Sequence, residues 1–198
     1  MIWLFRAFVM IGGFAVLESA MRLMTDISRL TDEERDAAIA VFGSDTIDYD
    51  KVRIADGGVL ALWYSFVEKK GRAFTICRTI GMPLTVGHVR EERLDIVIHE
   101  LAHVLQFETV GARYACEALD AQIKSGNEAY NYGGINGLEG RCVKGEQLKD
   151  LNREQQAQVA QDYHRFVLGC KPPLDDREKQ RREGIYGPFI EELRRREI

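Results

Sequence analysis

Leu94-Asp95-Ile96-Val97-Ile98-His99-Glu100-Leu101-Ala102-His103-Val104-Leu105-Gln106-Phe107 is the stretch on which the reading of this chain turns. No Gly or Pro falls between Arg90 and Val110, so nothing interrupts a helix, expected over about 91–107. Leu94, Ile98, Leu101 and Leu105 recur every three or four residues and give that helix one apolar face. Inside it lies the pattern His-Glu-x-x-His. Four residues advance a helix by about 400°, so His99 and His103 stand one turn apart on the same side. There both imidazoles can share one metal ion, while Glu100, about 100° round the helix, reaches a water on that ion. With this composition the pattern arises by chance on the order of once per hundred chains of this length. The competing reading is two histidines and a glutamate on a solvated helix face.

A zinc site needs a third protein ligand and an open fourth position for water. Of the two other histidines, His88 precedes the helix beside Gly87, and His164 is far downstream. The continuation His-x-x-Gly-x-x-His is absent. The downstream glutamates are Glu108, Glu117, Glu128, Glu139, Glu146 and Glu154. Glu108 lies five residues after His103 on the same helix, poorly placed to close a tetrahedron. Glu128, Glu139 and Glu146 fall in a Gly-rich stretch. Glu154 lies near the start of a helix expected over Asn152–Leu168, and Ala157 one turn on lets two helices approach closely. Glu154 is therefore the expected third ligand; otherwise it is an exposed first-turn glutamate favoured by the helix dipole.

Working outward, Thr31-Asp32-Glu33-Glu34 is a capping-box pattern that opens a helix through Phe42, with Gly43 suited to a left-handed cap. Asp48–Ile54 is expected as a strand, Asp56-Gly57-Gly58 as a turn, and Val59–Glu68 and Arg72–Ile80 as strands joined through Lys69-Lys70-Gly71. Pro83–Val86 reads as a short extended piece, an edge to which a peptide could add as a strand. After the motif helix come a helix over 110–123 and a long loop over Ser125–Gly145 containing six glycines; a loop of that length is usually functional or disordered. Gly169 and Pro172-Pro173 stop the 152–168 helix, and Asp175–Ile198 is a charge-rich tail with helical potential. The fold class expected is α+β, with a small N-terminal sheet, an active-site helix and a C-terminal ligand-bearing helix. Three parts follow: an apolar segment 1–28, a domain over 29–170 and a charged tail 171–198.

The chain has 198 residues, 45% of them hydrophobic and 29% charged, the balance of a globular domain with one sizeable core. A net charge of −4 gives no electrostatic basis for binding nucleic acid. Cys77, Cys116, Cys142 and Cys170 are widely spaced and contain no Cys-x-x-Cys pair, which argues against a zinc ribbon. Free, mostly buried thiols are expected, since two disulfides would require an oxidising compartment. From Ile2 to Leu17 the only charge is Arg6. Three readings stand for that run: an export signal or membrane anchor, a buried apolar helix, or residues upstream of the natural start. Location, cytoplasmic or envelope-associated, depends on which holds.

Several of these segments together resemble one family. Leu30-Thr31-Asp32-Glu33-Glu34-Arg35, Val41-Phe42-Gly43, Ile47-Asp48-Tyr49-Asp50-Lys51-Val52-Arg53-Ile54, the His99–Gln106 stretch and Glu154-Gln155-Gln156-Ala157-Gln158 are similar to the bacterial Vgr-related zinc metallopeptidases. These are minimal gluzincin-like domains of toxin and secretion-associated proteins. The resemblance runs from about Leu30 to Leu168. It implies a zincin-like fold, one zinc ion on His99, His103 and Glu154, and Glu100 as general base. Related gluzincins often carry Glu-x-x-Ala-Asp, whose aspartate orients a ligand histidine; here that place is Gln158, whose amide oxygen could accept the same bond. Tyr130, Tyr132 and His164 are the candidates for stabilising a tetrahedral oxyanion. The function expected is zinc-dependent hydrolysis of a protein or peptide, with a secretion or toxin partner implied by the resemblance. The alternative is a catalytically silent zinc-binding adaptor.

Overall fold

The structure, a computed structural model, describes residues 12–56, 73–82, 90–169 and 173–198. Its helices are α1 Gly13–Met24, α2 Asp32–Phe42, α3 Arg90–Val110, α4 Arg113–Ser125, α5 Gly134–Lys144, α6 Arg153–Tyr163 and α7 Asp176–Arg194. The strands are β1 Asp26–Ser28, β2 Arg53–Asp56, β3 Phe74–Ile76 and β4 Thr79–Met82. They form one sheet in the order β1-β2-β4-β3, with β2 and β4 parallel and the outer pairings antiparallel. The class is α+β and mainly helical, with the small sheet coming early in the chain.

The α2 capping box forms as its sequence dictates. The Thr31 hydroxyl accepts from Glu34 N at 3.2 Å, and the Glu34 carboxylate accepts from Thr31 N at 2.8 Å. Gly43 ends the helix by donating to the Ile39 carbonyl, with φ +91° but an extended ψ rather than the left-handed pair. Other expectations are corrected. The strand expected over Asp48–Ile54 is a 3-10 turn, Tyr49–Lys51, followed by β2. The strand expected over Arg72–Ile80 is a hairpin, because Cys77 takes φ +54° and turns the chain between β3 and β4. The expected strand Val59–Glu68 and the extended piece Pro83–Val86 lie outside the described residues.

The Gly-rich loop expected over Ser125–Gly145 is mostly helical: a 3-10 segment, Gly126–Tyr130, leads to α5. Two glycines allow it. Gly133 caps α5 at φ +88°, and a Cβ on Gly137 would sit 2.2 Å from the Tyr132 carbonyl oxygen. The expected helix over 152–168 changes character at His164, where a π turn runs to Leu168.

Helices α1 and α7 both belong to the fold, while residues 1–11 of the apolar N-terminal run lie outside the described residues. Phe14 and Met21 of α1 pack with Ala55, Ile76 and Cys77 in a small second core. The Glu18 carboxylate accepts from Arg78 N and from the Thr79 hydroxyl, fastening α1 to the β3–β4 hairpin. Among the described residues no helix is long and apolar enough to cross a membrane. Within the charge-rich segment after residue 171, α7 buries Ile185, Tyr186, Phe189, Ile190 and Leu193 in the main core, with residues of α2, β2, β4, α3 and α6. Cys77, Cys116 and Cys142 are free thiols; Cys77 is buried and Cys142 exposed.

Candidate metal centre

Helices α3 and α6 lie against each other in antiparallel register, and their paired contacts advance steadily. Asp95 meets His164, His99 meets Gln161, His103 meets Glu154, and Gln106 meets Arg153 and Gln156. The small, fully buried Ala157 and Ala160 of α6 suit such a close crossing. Glu154 stands in the first turn of α6, behind an Asn152–Gln155 capping box that fixes where the helix begins.

This register brings His99, His103 and Glu154 together. Nε2 of His99 and Nε2 of His103 each lie 3.4 Å from Glu154 Oε2. The three residues offer ligand atoms all within 4.8 Å of one another. In a zinc tetrahedron with bonds of about 2.0–2.1 Å, neighbouring ligand atoms are about 3.3–3.4 Å apart. The two spacings to Glu154 Oε2 match that value. The donor set, two imidazole nitrogens and one carboxylate oxygen, also suits zinc. His99, Glu100, His103 and Glu154 are 8, 5, 6 and 2% exposed.

Each imidazole turns its other nitrogen outward to an amide: His99 Nδ1 lies 3.1 Å from Gln161 Oε1, and His103 Nδ1 lies 2.8 Å from Gln106 Oε1. Glu154 Oε1 accepts from Gln122 Nε2 of α4 at 2.9 Å. Burial disfavours a charged imidazole at His103, but the facing Glu154 carboxylate, helped by Glu100, outweighs it and raises the pKa to about 9. Burial likewise pushes Glu154 up, and His103 and His99 overrule it, holding the carboxyl well below its usual range. The pairing favours a protonated His103 facing an ionised Glu154.

Glu100 is fixed from the sheet side. The Thr75 hydroxyl donates to Glu100 Oε2 at 2.7 Å, and the Tyr114 hydroxyl donates to the Thr75 carbonyl at 2.7 Å. The Tyr114 ring stacks on His103 with centroids 5.8 Å apart. Burial keeps this phenol protonated far above its ordinary value, so it stays a donor.

The remaining expected site residues separate clearly. Tyr130 adjoins the site: its ring lies 5.9 Å from that of His99, and its oxygen accepts from Gln122. Tyr132 does not, because its hydroxyl is turned into the core, where it donates to Asp162 Oδ2 and meets the Tyr186 hydroxyl. His164 is bound to Asp95 at 3.0 Å, beside the Arg165–Asp95 ion pair. Gln158 is corrected as the partner of a histidine: it donates to Asp162, and the amide on His99 is Gln161. Gln158 and Gln161, four and seven residues after Glu154, both return to its side of α6, so the choice is made by the crossing of α3 and α6, which sets the farther of the two against His99.

Gln106, Gln122, Gln161, Thr75 and Tyr114 are the residues that the sequence reading did not single out. Gln106 carries a usable signal, since it follows His103 by three residues on one helix. Thr75 and Tyr114 carry none, because only the packing of β3 and α4 on α3 brings them to the site. No family model matches this chain, and no curated protein or solved structure is significantly similar to it.

Proposed function

We propose that this protein is a zinc-dependent peptidase of the gluzincin type, in which His99, His103 and Glu154 hold the ion and Glu100 is the general base. The observation that carries the reading is the convergence of two Nε2 atoms on one carboxylate oxygen at 3.4 Å, beside a buried glutamate on the same helix. When bound, the ion supplies an acidified water and a positive charge next to the scissile carbonyl. Glu100 takes the proton of the attacking water and hands it to the departing amine. Thr75 holds one oxygen of that carboxylate, which limits how far the base can swing. Tyr130, next to His99, is the candidate donor to the oxyanion. A zincin-like fold belongs to the same proposal, as does the secretion or toxin partner that the family resemblance suggests.

The burial of all four residues favours a second reading, a resident metal in a protein that binds a partner without cleaving it. Metal content and cleavage of an unfolded protein separate the two. Wild type and Glu100→Gln should bind zinc equally, and the substitution should slow cleavage by about 10²–10⁴-fold, the usual contribution of a general base. Equal cleavage by both removes Glu100 as the base; zinc without cleavage by wild type selects the second reading. Glu154→Ala should lower zinc occupancy sharply, and unchanged occupancy would leave Glu154 outside the metal site.

A further inference from the structure

We infer that glutamines position all three metal ligands, and that Gln156, which bonds to none of them, acts with the Arg153 carbonyl through Gln106 to set which nitrogen of His103 is left for the metal. This deepens the proposed zinc site and rests on it. The two ends of a glutamine amide have nearly the same shape, so its direction is decided by what each end meets.

The direction starts at the backbone. Gln156 Nε2 lies 3.2 Å from the Leu148 carbonyl oxygen and 3.1 Å from that of Leu151. Carbonyl oxygens accept and never donate, so the NH2 end of Gln156 must face them. Its Oε1 then points the other way and accepts from Gln106 Nε2 at 3.0 Å. Gln106 Nε2 also donates to the Arg153 carbonyl at 3.0 Å, which leaves Gln106 Oε1 facing His103 Nδ1 at 2.8 Å. An acceptor at that place requires the proton of a neutral His103 to sit on Nδ1. The lone pair on Nε2 is then aimed at Glu154 and His99. The Leu148 and Leu151 carbonyls through Gln156, and the Arg153 carbonyl directly, thus fix the direction of Gln106 and with it the tautomer of a histidine on α3.

The other two ligands are served in one step each. Gln161 Oε1 accepts from His99 Nδ1 and turns that Nε2 inward. Gln122 Nε2 holds Glu154 Oε1 and leaves Oε2 between the two imidazoles. Carboxylates and carbonyls are common in this role and their loss typically weakens metal binding by about 10–100-fold. Here the role falls to neutral amides, which supply direction without adding charge.

Gln161 is the clean position for substitution, because its side chain is partly exposed and bonds to His99. In competition with a chelator, Gln161→Leu should bind zinc about 10–100-fold more weakly than wild type. Gln161→Glu, which keeps an acceptor there, should bind at least as tightly as wild type. Gln156 is buried, and its variants risk failing to fold, so its role is read in the unmutated protein. In zinc-loaded protein labelled with 15N-histidine, both imidazoles should carry the proton on Nδ1 and the metal on Nε2. A wild type that takes up no zinc overturns the proposed function and this inference with it. Zinc binding by wild type with Gln161→Leu within twofold of it, or zinc on His103 Nδ1, overturns the positioning roles alone.

Discussion

At the scale of single residues, the proposed metal site sets one proton against one metal ion. His103 has a folded pKa of about 9 against an ordinary 6.5. In the metal-free protein its pairing with Glu154 therefore stabilises the fold fully below about 6.5 and is lost as the pH rises through about 9. Glu154 is shifted the other way, so its share is present above its ordinary value of 4.5 and is lost as the pH falls through its depressed folded value. Both contributions are complete between those ordinary values. A metal entering the site must displace the His103 proton. Apparent zinc affinity should thus rise about tenfold per pH unit between pH 7 and 9 and level off above; calorimetry in two buffers of different ionisation enthalpy should count one proton released per zinc at pH 7. A flat profile over that range would mean that His103 is already neutral. The sequence supplies the identity of both groups, but only their 3.4 Å approach creates the coupling.

At the scale of elements, the decisive feature is the start of α6. Glu154 is useful only if that helix begins at Arg153, and the Asn152 side chain sets this by accepting from Gln155 N while donating to the Ala129 carbonyl. Loss of such a cap costs about 1 kcal/mol, or about 2–4 °C in Tm for a chain of this size. Asn152→Ala should lower Tm by that amount and weaken zinc binding. Thr31→Ala removes the equivalent cap from α2, away from the site, and should lower Tm similarly with zinc affinity unchanged. Equal effects of the two on zinc would show that the first turn of α6 does not govern the site. The caps were legible in the sequence, because a capping box is a local pattern that needs no tertiary partner. The hairpin at Cys77 was not, since a β3–β4 turn with a non-glycine residue at positive φ leaves no local sign. The helicity of α5 was hidden for the same kind of reason: glycines that weaken an isolated helix are those that let this one start against the Tyr132 carbonyl.

At the scale of the molecule, α7 closes the main core although its sequence reads as a charged tail. Arg194 donates to the Val41 and Ala40 carbonyls at the end of α2, satisfying groups that a helix terminus leaves open. Its five buried apolar side chains contribute roughly 1.5–3 kcal/mol each, a sum comparable with the whole stability of a typical domain, about 5–15 kcal/mol. A chain ending at Pro173 should therefore lose its cooperative thermal transition by circular dichroism. A truncated chain that melts like the full one would make α7 an accessory.

The sequence by itself determined the helix that carries His99, Glu100 and His103, the capping of α2 and the α+β class. These follow from periodicity and spacing within a few turns, which local backbone geometry enforces. Only the tertiary structure decided that Gln161 rather than Gln158 meets His99, that Thr75 and Tyr114 secure Glu100, that Tyr132 belongs to the core, and that α7 is built into the domain. Each of those contacts joins segments far apart in the chain, and their pairing is fixed by how α3, α4, α6 and β3 pack rather than by any pattern inside one of them.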